Sequence, residues 1–364
     1  MMRPLRIALL GSSNFPIAEP FAGGMEAHIW QLAHTLTERG HFVTLFAAEG
    51  SSVEVTGGNL RVAQLELSAI SKADITTPAR AVSEHHAYLS VMMDLAGDLR
   101  DSFDIIHNHS LHYLPIAMSR AVQTPMLTTL HTPPFAWLES AIAISASPAT
   151  SFAAVSEHAA RQWAPVLGEV HIVPNGISTQ RWPEGPGGDY AVWSGRMVPE
   201  KAPHLAIDAA RIAGVPLRLA GPVSNTEYFR DHIEPHLDDS VSYVGHLRQR
   251  ELATLVGGAA VALVTPVWEE PYGLVVAEAL ACGTPVAAFD RGGIPEILTP
   301  ACGRLAAANS VKDLAIALVD ATALSRSEAR ARAETACSET VMVDHYSKLY
   351  EHMISETTAR RGAA

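Results

Sequence analysis

The sequence predicts an α/β protein made of two doubly wound domains in tandem, facing each other across a central cleft. Three observations carry this expectation. Short apolar, β-branched runs alternate with longer segments of helical period, the pattern of parallel sheets covered by helices on both faces. The alternation restarts after a proline- and glycine-rich stretch, "PNGISTQRWPEGPGG" (174–188), that reads as a linker. A chain of 364 residues is long enough for two ordinary domains, each with a core of its own.

Along the chain, "LRIALLG" (5–11) is the first strand, its apolar run too short for a signal peptide. A glycine-containing loop then leads into a helix with Ile29, Leu32, Ala33 and Leu36 at helical spacing. Gly40 ends that helix and "HFVTLFA" begins the second strand. "DIIHNH", "PMLTTLH", "SFAAVS" and "EVHIV" complete the first set. "YAVWSG", "PLRLAG", "VSYVG", "AAVALVT", "PVAAFD" and "GRLAA" form the second, with "KAPHLAIDAARIAG" the clearest of its helices. The expected boundaries are 1–177 and 186–340 for the domains and 178–185 for the linker. A last amphipathic stretch, about 341–358 and carrying Tyr346, Leu349, Tyr350 and Met353, is expected to pack across the join.

Composition narrows the partners. The net charge is −12 and no basic tract occurs, which argues against nucleic acid or an anionic bilayer. No apolar run approaches the ~20 residues of a membrane helix, so no stable membrane insertion is expected. Cys282, Cys302 and Cys337 form neither a CxxC pair nor an even-numbered framework, which suits a reducing cytoplasm. The pattern carries no signal of an oligomeric state.

Ligands of such sheets bind at the carboxyl ends of the strands, and the chemically interesting residues cluster at those ends. In "FAGGMEAH" (21–28), Gly23 and Gly24 lie between a strand and a helix. They suit either an anion at the helix N-terminus or a tight turn needing positive φ. The GxGxxG of dinucleotide binding is absent, which argues against hydride transfer. In "WSGRMVPEK" (193–201), Arg196 and Lys201 bracket a loop and can converge on a diphosphate. Lysine is electrostatically misplaced at a helix start, so a reason other than helix stability is sought. In "EEPYGLVVAEALACGTPV" (269–286), Gly273 and Leu274 open a helix, Glu270 lies in the loop before it, and Glu278 lies one turn inside. A glutamate amid "LVVAEALA" is costly unless it is hydrogen-bonded or wetted by a cleft. "GGIPEIL" (292–298) repeats the strand–glycine–helix logic, with Glu296 read as a helix-start charge. His131 ends a strand before two prolines and suits either a cleft or a capped structural site. "HNHSLH" (107–112) invites a metal, but His107 and His109 are read as lying on opposite strand faces, so no metal site is expected. No Asp-x-Asp occurs in the chain.

Together, "AGGMEAH", "TLHTPP", "VPNGI", "SGRMVPEK", "EPYGLVVAEALACGTPV" and "RGGIPEI" resemble the retaining family 4 glycosyltransferases of GT-B fold, over most of the chain. That resemblance implies two Rossmann-like domains, the first for the acceptor and the second for a nucleotide sugar, with a C-terminal helix crossing back to the first. It implies that Arg196 and Lys201 hold the donor diphosphate, that Glu278 accepts hydrogen bonds from the ribose, and that Glu270 contacts the sugar near the reacting centre. The amides of Gly273 and Leu274 would bind the β-phosphate or sugar hydroxyls, Gly24 would approach the phosphate, His131 would hydrogen-bond the sugar, and Gly245 and Leu247 would meet the base. Ser178 departs from the family's usual aspartate at a hinge position.

The expected activity is metal-independent, cofactor-free transfer of a hexose from UDP-glucose or UDP-N-acetylglucosamine to a hydroxyl of a soluble acceptor. The net acidic first half favours that acceptor over a lipid-linked one. A GDP- or ADP-sugar is the nearest alternative, and a non-catalytic sugar- or nucleotide-binding protein is the rival of another class.

Overall fold

The fold is that of a computed structural model, which describes residues 3–51, 68–69, 71, 78–145 and 150–363. Segments of the expected first domain therefore lie outside the described residues. The frame is two six-stranded sheets. The first is built from β1 (Arg6–Leu10), β2 (Phe42–Phe46), β3 (Ile105–Asn108), β4 (Met126–Leu130), β5 (Thr150–Ala154) and β6 (His171–Ile172), in the order β2-β1-β3-β4-β5-β6. The second contains β7 (Ala191–Ser194), β8 (Leu217–Ala220), β9 (Val241–Tyr243), β10 (Val261–Val264), β11 (Val286–Phe289) and β12 (Gly303–Ala306), in the order β12-β11-β10-β7-β8-β9. Every pairing is parallel. Helices cover both faces, so β3, β10 and β11 are buried at every position, and β10 and β11 read as unbroken apolar runs rather than alternating ones.

Six helices position the cleft: α1 (Gly24–Glu38), α2 (Glu157–Leu167), α3 (Pro203–Ala213), α4 (Leu274–Ala281), the single turn α5 (Ile294–Ile297), and α6 (Glu339–Ala363). The helical spacing of Ile29, Leu32, Ala33 and Leu36 puts all four in the core with Leu5, Ile7 and Leu9. The chain leaves α1 through Gly40 at φ 85°, a left-handed conformation that glycine adopts without steric cost.

The last helix is longer than its sequence pattern predicts, and it belongs to the first sheet. Met342, Val343, Tyr346, Tyr350 and Met353 are buried in the same cluster as β1 and α1. Burying side chains of this size contributes on the order of 1.5–3 kcal/mol each. Polar contacts fix the register. The Tyr350 hydroxyl lies 2.6 Å from His107 Nδ1, His107 Nε2 lies 2.8 Å from Thr129 Oγ1, and that oxygen lies 3.2 Å from the Tyr346 hydroxyl. Arg39 also donates to Asp344 at 2.5 Å.

The expected linker is a packed strap. Ile177 pairs with Ser338, and Ile177 and Trp182 are buried in the core of the second sheet. A Cβ on Gly185 would stand 2.4 Å from the Gly257 backbone, and one on Gly176 2.4 Å from the Glu339 Cα. Composition reads as a linker. The glycines also serve close backbone approach.

Replacing Tyr350 by Phe keeps the ring and orphans one nitrogen of the buried His107. The expected cost is about 1–3 kcal/mol in denaturant unfolding, the penalty of an unsatisfied buried polar group. A change within experimental error of zero would show that this contact does not hold α6 down.

Candidate functional site

Between the carboxyl ends of the two sheets lies a cleft of about 900 Å³. All the sequence-predicted site residues except Gly245 line it: Gly24, His131, Arg196, Lys201, Leu247, Glu270, Gly273, Leu274 and Glu278. Gly245 sits just behind the wall at φ 93°, its carbonyl accepting from the Gly221 amide at 2.9 Å, while its neighbour His246 faces the cleft.

The floor on the second-domain side is set by a backbone packing. After β10 the chain reaches Glu270 and Pro271 and turns into α4 through Gly273 at φ 100°. Gly292 crosses directly behind, and a Cβ there would lie 2.0 Å from the Glu270 carbonyl oxygen. The Gly293 amide donates to that same oxygen at 2.8 Å. The pair of glycines read as a helix start is therefore needed to hold the Glu270 loop. Val276 is the first amide of α4 to bond back, to the Gly273 carbonyl at 2.9 Å, so the amides before it lie at the free, electropositive end of the helix.

Lys201 ends the tight turn Pro199–Lys201, and its Nζ donates to Glu270 Oε2. Trp268 Nε1 donates to the same oxygen at 2.9 Å, and the Lys201 ammonium lies 5.1 Å from the Trp268 ring centroid. A part-buried cation, a carboxylate and an indole thus lock one another. Arg196 lies 3.7 Å from Glu200 and also faces Glu26 of α1 across the cleft.

Glu26 was not singled out in the sequence. It is only 4% exposed, and burial raises its pKa, opposed by its own amide and by Arg196. It lies over the start of α1, where an anion was expected. Gly23 is extended at φ −169°, so the alternative reading of a positive-φ turn does not hold. Gly24 instead serves close approach: a Cβ there would meet Leu274 Cδ1 at 3.0 Å, so the starts of α1 and α4 abut.

Glu278 points from α4 into the cleft and accepts no hydrogen bond from any described residue. Burial pushes its carboxyl up to about 7, against an ordinary 4.5. A lone, part-neutral carboxyl in a cleft wall lacks a partner that a ligand would supply.

Glu296 lies in the first turn of α5, as read, and it also serves the start of a helix in the other domain. Its carboxylate accepts from the amides of Glu157 and His158 at 2.8 and 2.6 Å, at the start of α2. The Ser156 hydroxyl caps the same helix and donates to the Pro271 carbonyl at 2.5 Å. His246 reaches the Phe21 carbonyl at 2.9 Å on the opposite rim. These ties cross between the sheets, and no local sequence signal marks them.

The opposite-face reading of His107 and His109 is corrected. Residues two apart in a strand share a face, and these two rings lie 3.9 Å apart between centroids. His109 Nδ1 is also 2.9 Å from His131 Nε2, with His28 beside both. Burial drives all four imidazoles toward the neutral form: His28 to about 4, and His107, His109 and His131 well below the usual histidine value.

The cleft therefore brings two cations, one free helix terminus, an unpaired carboxyl and neutral imidazoles to one place. Such a set is able to hold a diphosphate at one end and hydroxyl groups at the other. Comparison with known proteins agrees with that chemistry. Residues 22–181 match the family model of Glycosyltransferase Family 4, and residues 178–336 that of Glycosyl transferases group 1. The chain is 27% identical to a glycogen synthase of Mycobacterium tuberculosis, over 87% of each chain. It is also 27% identical to a D-inositol 3-phosphate glycosyltransferase of Mycolicibacterium paratuberculosis, over 99% of this chain and 93% of the relative. Among solved structures, sucrose-phosphate synthase of Thermosynechococcus elongatus superposes with a TM-score of 0.78 at 19% identity, over 97% of this chain and 100% of the other. HepE of Anabaena, solved with UDP-glucose, superposes with a TM-score of 0.71 at 18% identity, over 98% and 100%. The chain belongs to the family 4 glycosyltransferases of GT-B fold.

Proposed function

We propose that this glycosyltransferase moves a hexose from UDP-glucose or UDP-N-acetylglucosamine to a hydroxyl of a soluble acceptor in the cytoplasm, with retention of configuration and without a metal on the diphosphate. The observation that carries the reading is the convergence of Arg196, Lys201 and the start of α4 on one cleft. Transfer passes through an oxocarbenium-like state while negative charge builds on the departing diphosphate. Fixed cations and amide dipoles aimed at that charge stabilise it without reorganising. HepE, solved with UDP-glucose, supports the choice of nucleotide and sugar.

In this reading the diphosphate lies between Arg196 and Lys201, with the amides of Gly273 and Leu274 at its far oxygens. Lys201 exchanges part of its contact with Glu270 for the phosphate. Glu270, still held by Trp268, turns to the sugar hydroxyls. His131, neutral, offers a ring nitrogen to the sugar, and Glu278 takes the ribose hydroxyls. The two glutamates are not an acid–base pair. They grip two different parts of one donor. The acceptor lies against the first domain, near Phe15 and Phe21. The ties from Ser156, Glu296 and His246 hold the domains together around the donor and exclude water from it.

A thermal-shift screen of UDP-, ADP- and GDP-sugars tests the donor, and the largest stabilisation is expected from a UDP-sugar. An equal shift from all three would overturn the choice of nucleotide. Lys201→Ala is expected to lower kcat/KM by about 2–4 kcal/mol of transition-state stabilisation, the size of one lost electrostatic donor. A variant within about twofold of wild type would remove Lys201 from the mechanism.

Glu278 makes a pH prediction. Its free carboxyl titrates at about 7, and ribose hydroxyls donate to the ionised form, so the donor binds the ionised form and lowers that value. Donor affinity should fall as pH drops below about 7, and binding at that pH should release a fraction of a proton. Calorimetry in two buffers of different ionisation enthalpy reads that release, and in Glu278→Gln it should vanish. Proton release unchanged in the variant would place the titrating group elsewhere. In the ligand-free protein the raised value favours folding below the ordinary 4.5, and that contribution is lost as pH rises to about 7. Glu278→Gln should therefore gain Tm relative to wild type from pH 5 to pH 8.

A further inference from the structure

The donor reading uses one imidazole of a cluster and leaves the others without a task. His28 of α1, His109 at the end of β3 and His131 at the end of β4 come from three separate elements. Their ring centroids lie 5.1–5.3 Å apart, close to an equilateral triangle. Each offers one ring nitrogen, and those three atoms lie within 4.8 Å of one another. Both nitrogens of His28 and Nε2 of His109 are buried without a hydrogen-bond partner among the described residues. Buried polar atoms are almost always paired, so three orphaned nitrogens in one spot mark a missing occupant. His107 is not one of the set. Both its nitrogens are taken, by Tyr350 and Thr129, and its ring backs that of His109 at 3.9 Å.

We propose that His28, His109 and His131 form a site for one divalent transition-metal ion of the zinc class, open on the cleft side and closed to the donor sugar when filled. An all-imidazole set suits zinc, cobalt, nickel or copper, whereas magnesium and calcium take oxygen ligands. Tetrahedral bonds of about 2.0–2.1 Å put ligand nitrogens roughly 3.3 Å apart. The candidate ligand atoms already lie within 4.8 Å of one another, so that spacing would need ring rotation and a slight opening of the 2.9 Å contact between His109 and His131. Metal binding needs neutral imidazoles, and burial already keeps these three neutral. His28 and His131 line the cleft and His109 does not, so the fourth coordination position faces the cleft. Competition with the sugar rests on the role proposed above for His131. The site itself does not.

The test is a titration of the chain, without a polyhistidine tag, with Co2+ and then Zn2+. One Co2+ per chain should give the intense visible bands of a four-coordinate ion, and Zn2+ should bleach them. X-ray absorption of the Zn2+ complex should show three imidazole nitrogens at about 2.0–2.1 Å. His28→Gln and His109→Gln should each weaken binding by at least the roughly 10–100-fold that losing an outer-shell partner of a metal ligand costs. A six-coordinate spectrum, fewer than three imidazoles on zinc, or equal binding by wild type and both variants would overturn the site. Should the variants fail to fold, the absorption measurement on wild type decides alone. With excess metal removed, the apparent Kd for UDP-glucose should rise with zinc occupancy. Zinc bound by three imidazoles with donor affinity unchanged would overturn the competition, and with it the role of His131, while leaving the site standing.

Discussion

One backbone contact underlies the cleft. The Glu270 carbonyl sits where any side chain on Gly292 would have to be, 2.0 Å from an ideal Cβ, and it is held there by the Gly293 amide. This fixes the loop that follows β10, and with it the entry angle of α4. The Glu270 carboxylate, the free amides at Gly273 and the inward-facing Glu278 all take their places from that entry. The Pro271 carbonyl on the same loop accepts from Ser156 of the first domain. A cleft wall and a domain contact are thus two sides of a single turn.

The electrostatics of the cleft are those of a site prepared for a charged guest. Without a ligand, Lys201 is ion-paired with Glu270, and Arg196 lies 3.7 Å from Glu200 and faces Glu26. Cations held this way keep their positions without repelling each other, and in the proposed function they exchange partners with the donor diphosphate. Glu278 has no such partner among the described residues, and burial pushes its carboxyl up to about 7 instead. The buried imidazoles follow the same rule, giving up charge to remain inside. Burial and pairing, rather than net charge, decide which groups in this acidic chain are ionised.

Much of the fold was legible along the chain. Twelve strand segments, the spacing of Ile29, Leu32, Ala33 and Leu36, and the Tyr346–Tyr350 face of the last helix all follow from local period and turn chemistry. Most of the predicted residues do line the cleft, because strand ends followed by glycine or a cation recur in the pattern. Local pattern does not say why glycine is required at three places. The 174–188 stretch reads as a linker, and Gly185 in it packs against a distant backbone. Gly292 and Gly293 read as a helix start, and Gly293 does precede α5, but Gly292 is also pressed against the Glu270 loop. Gly23 and Gly24 read as a tight turn or an anion cradle, and Gly24 also abuts α4. In each case the partner that demands a glycine lies far away in sequence: Gly257, Glu270 and Leu274.

The sequence by itself determined the two parallel sheets, the restart near residue 180 and the strand ends that carry Arg196, Lys201, Glu270 and His131. These depend on interactions within a few residues, or on a hydrophobic period that any window reveals. Only the tertiary structure decided that Glu26 faces Arg196, that Glu296 caps a helix of the other domain, and that His28, His109 and His131 meet. Each of those depends on where separate elements end after packing. A carboxylate or an imidazole acquires its pKa, its partner and its task from neighbours that the chain order does not name.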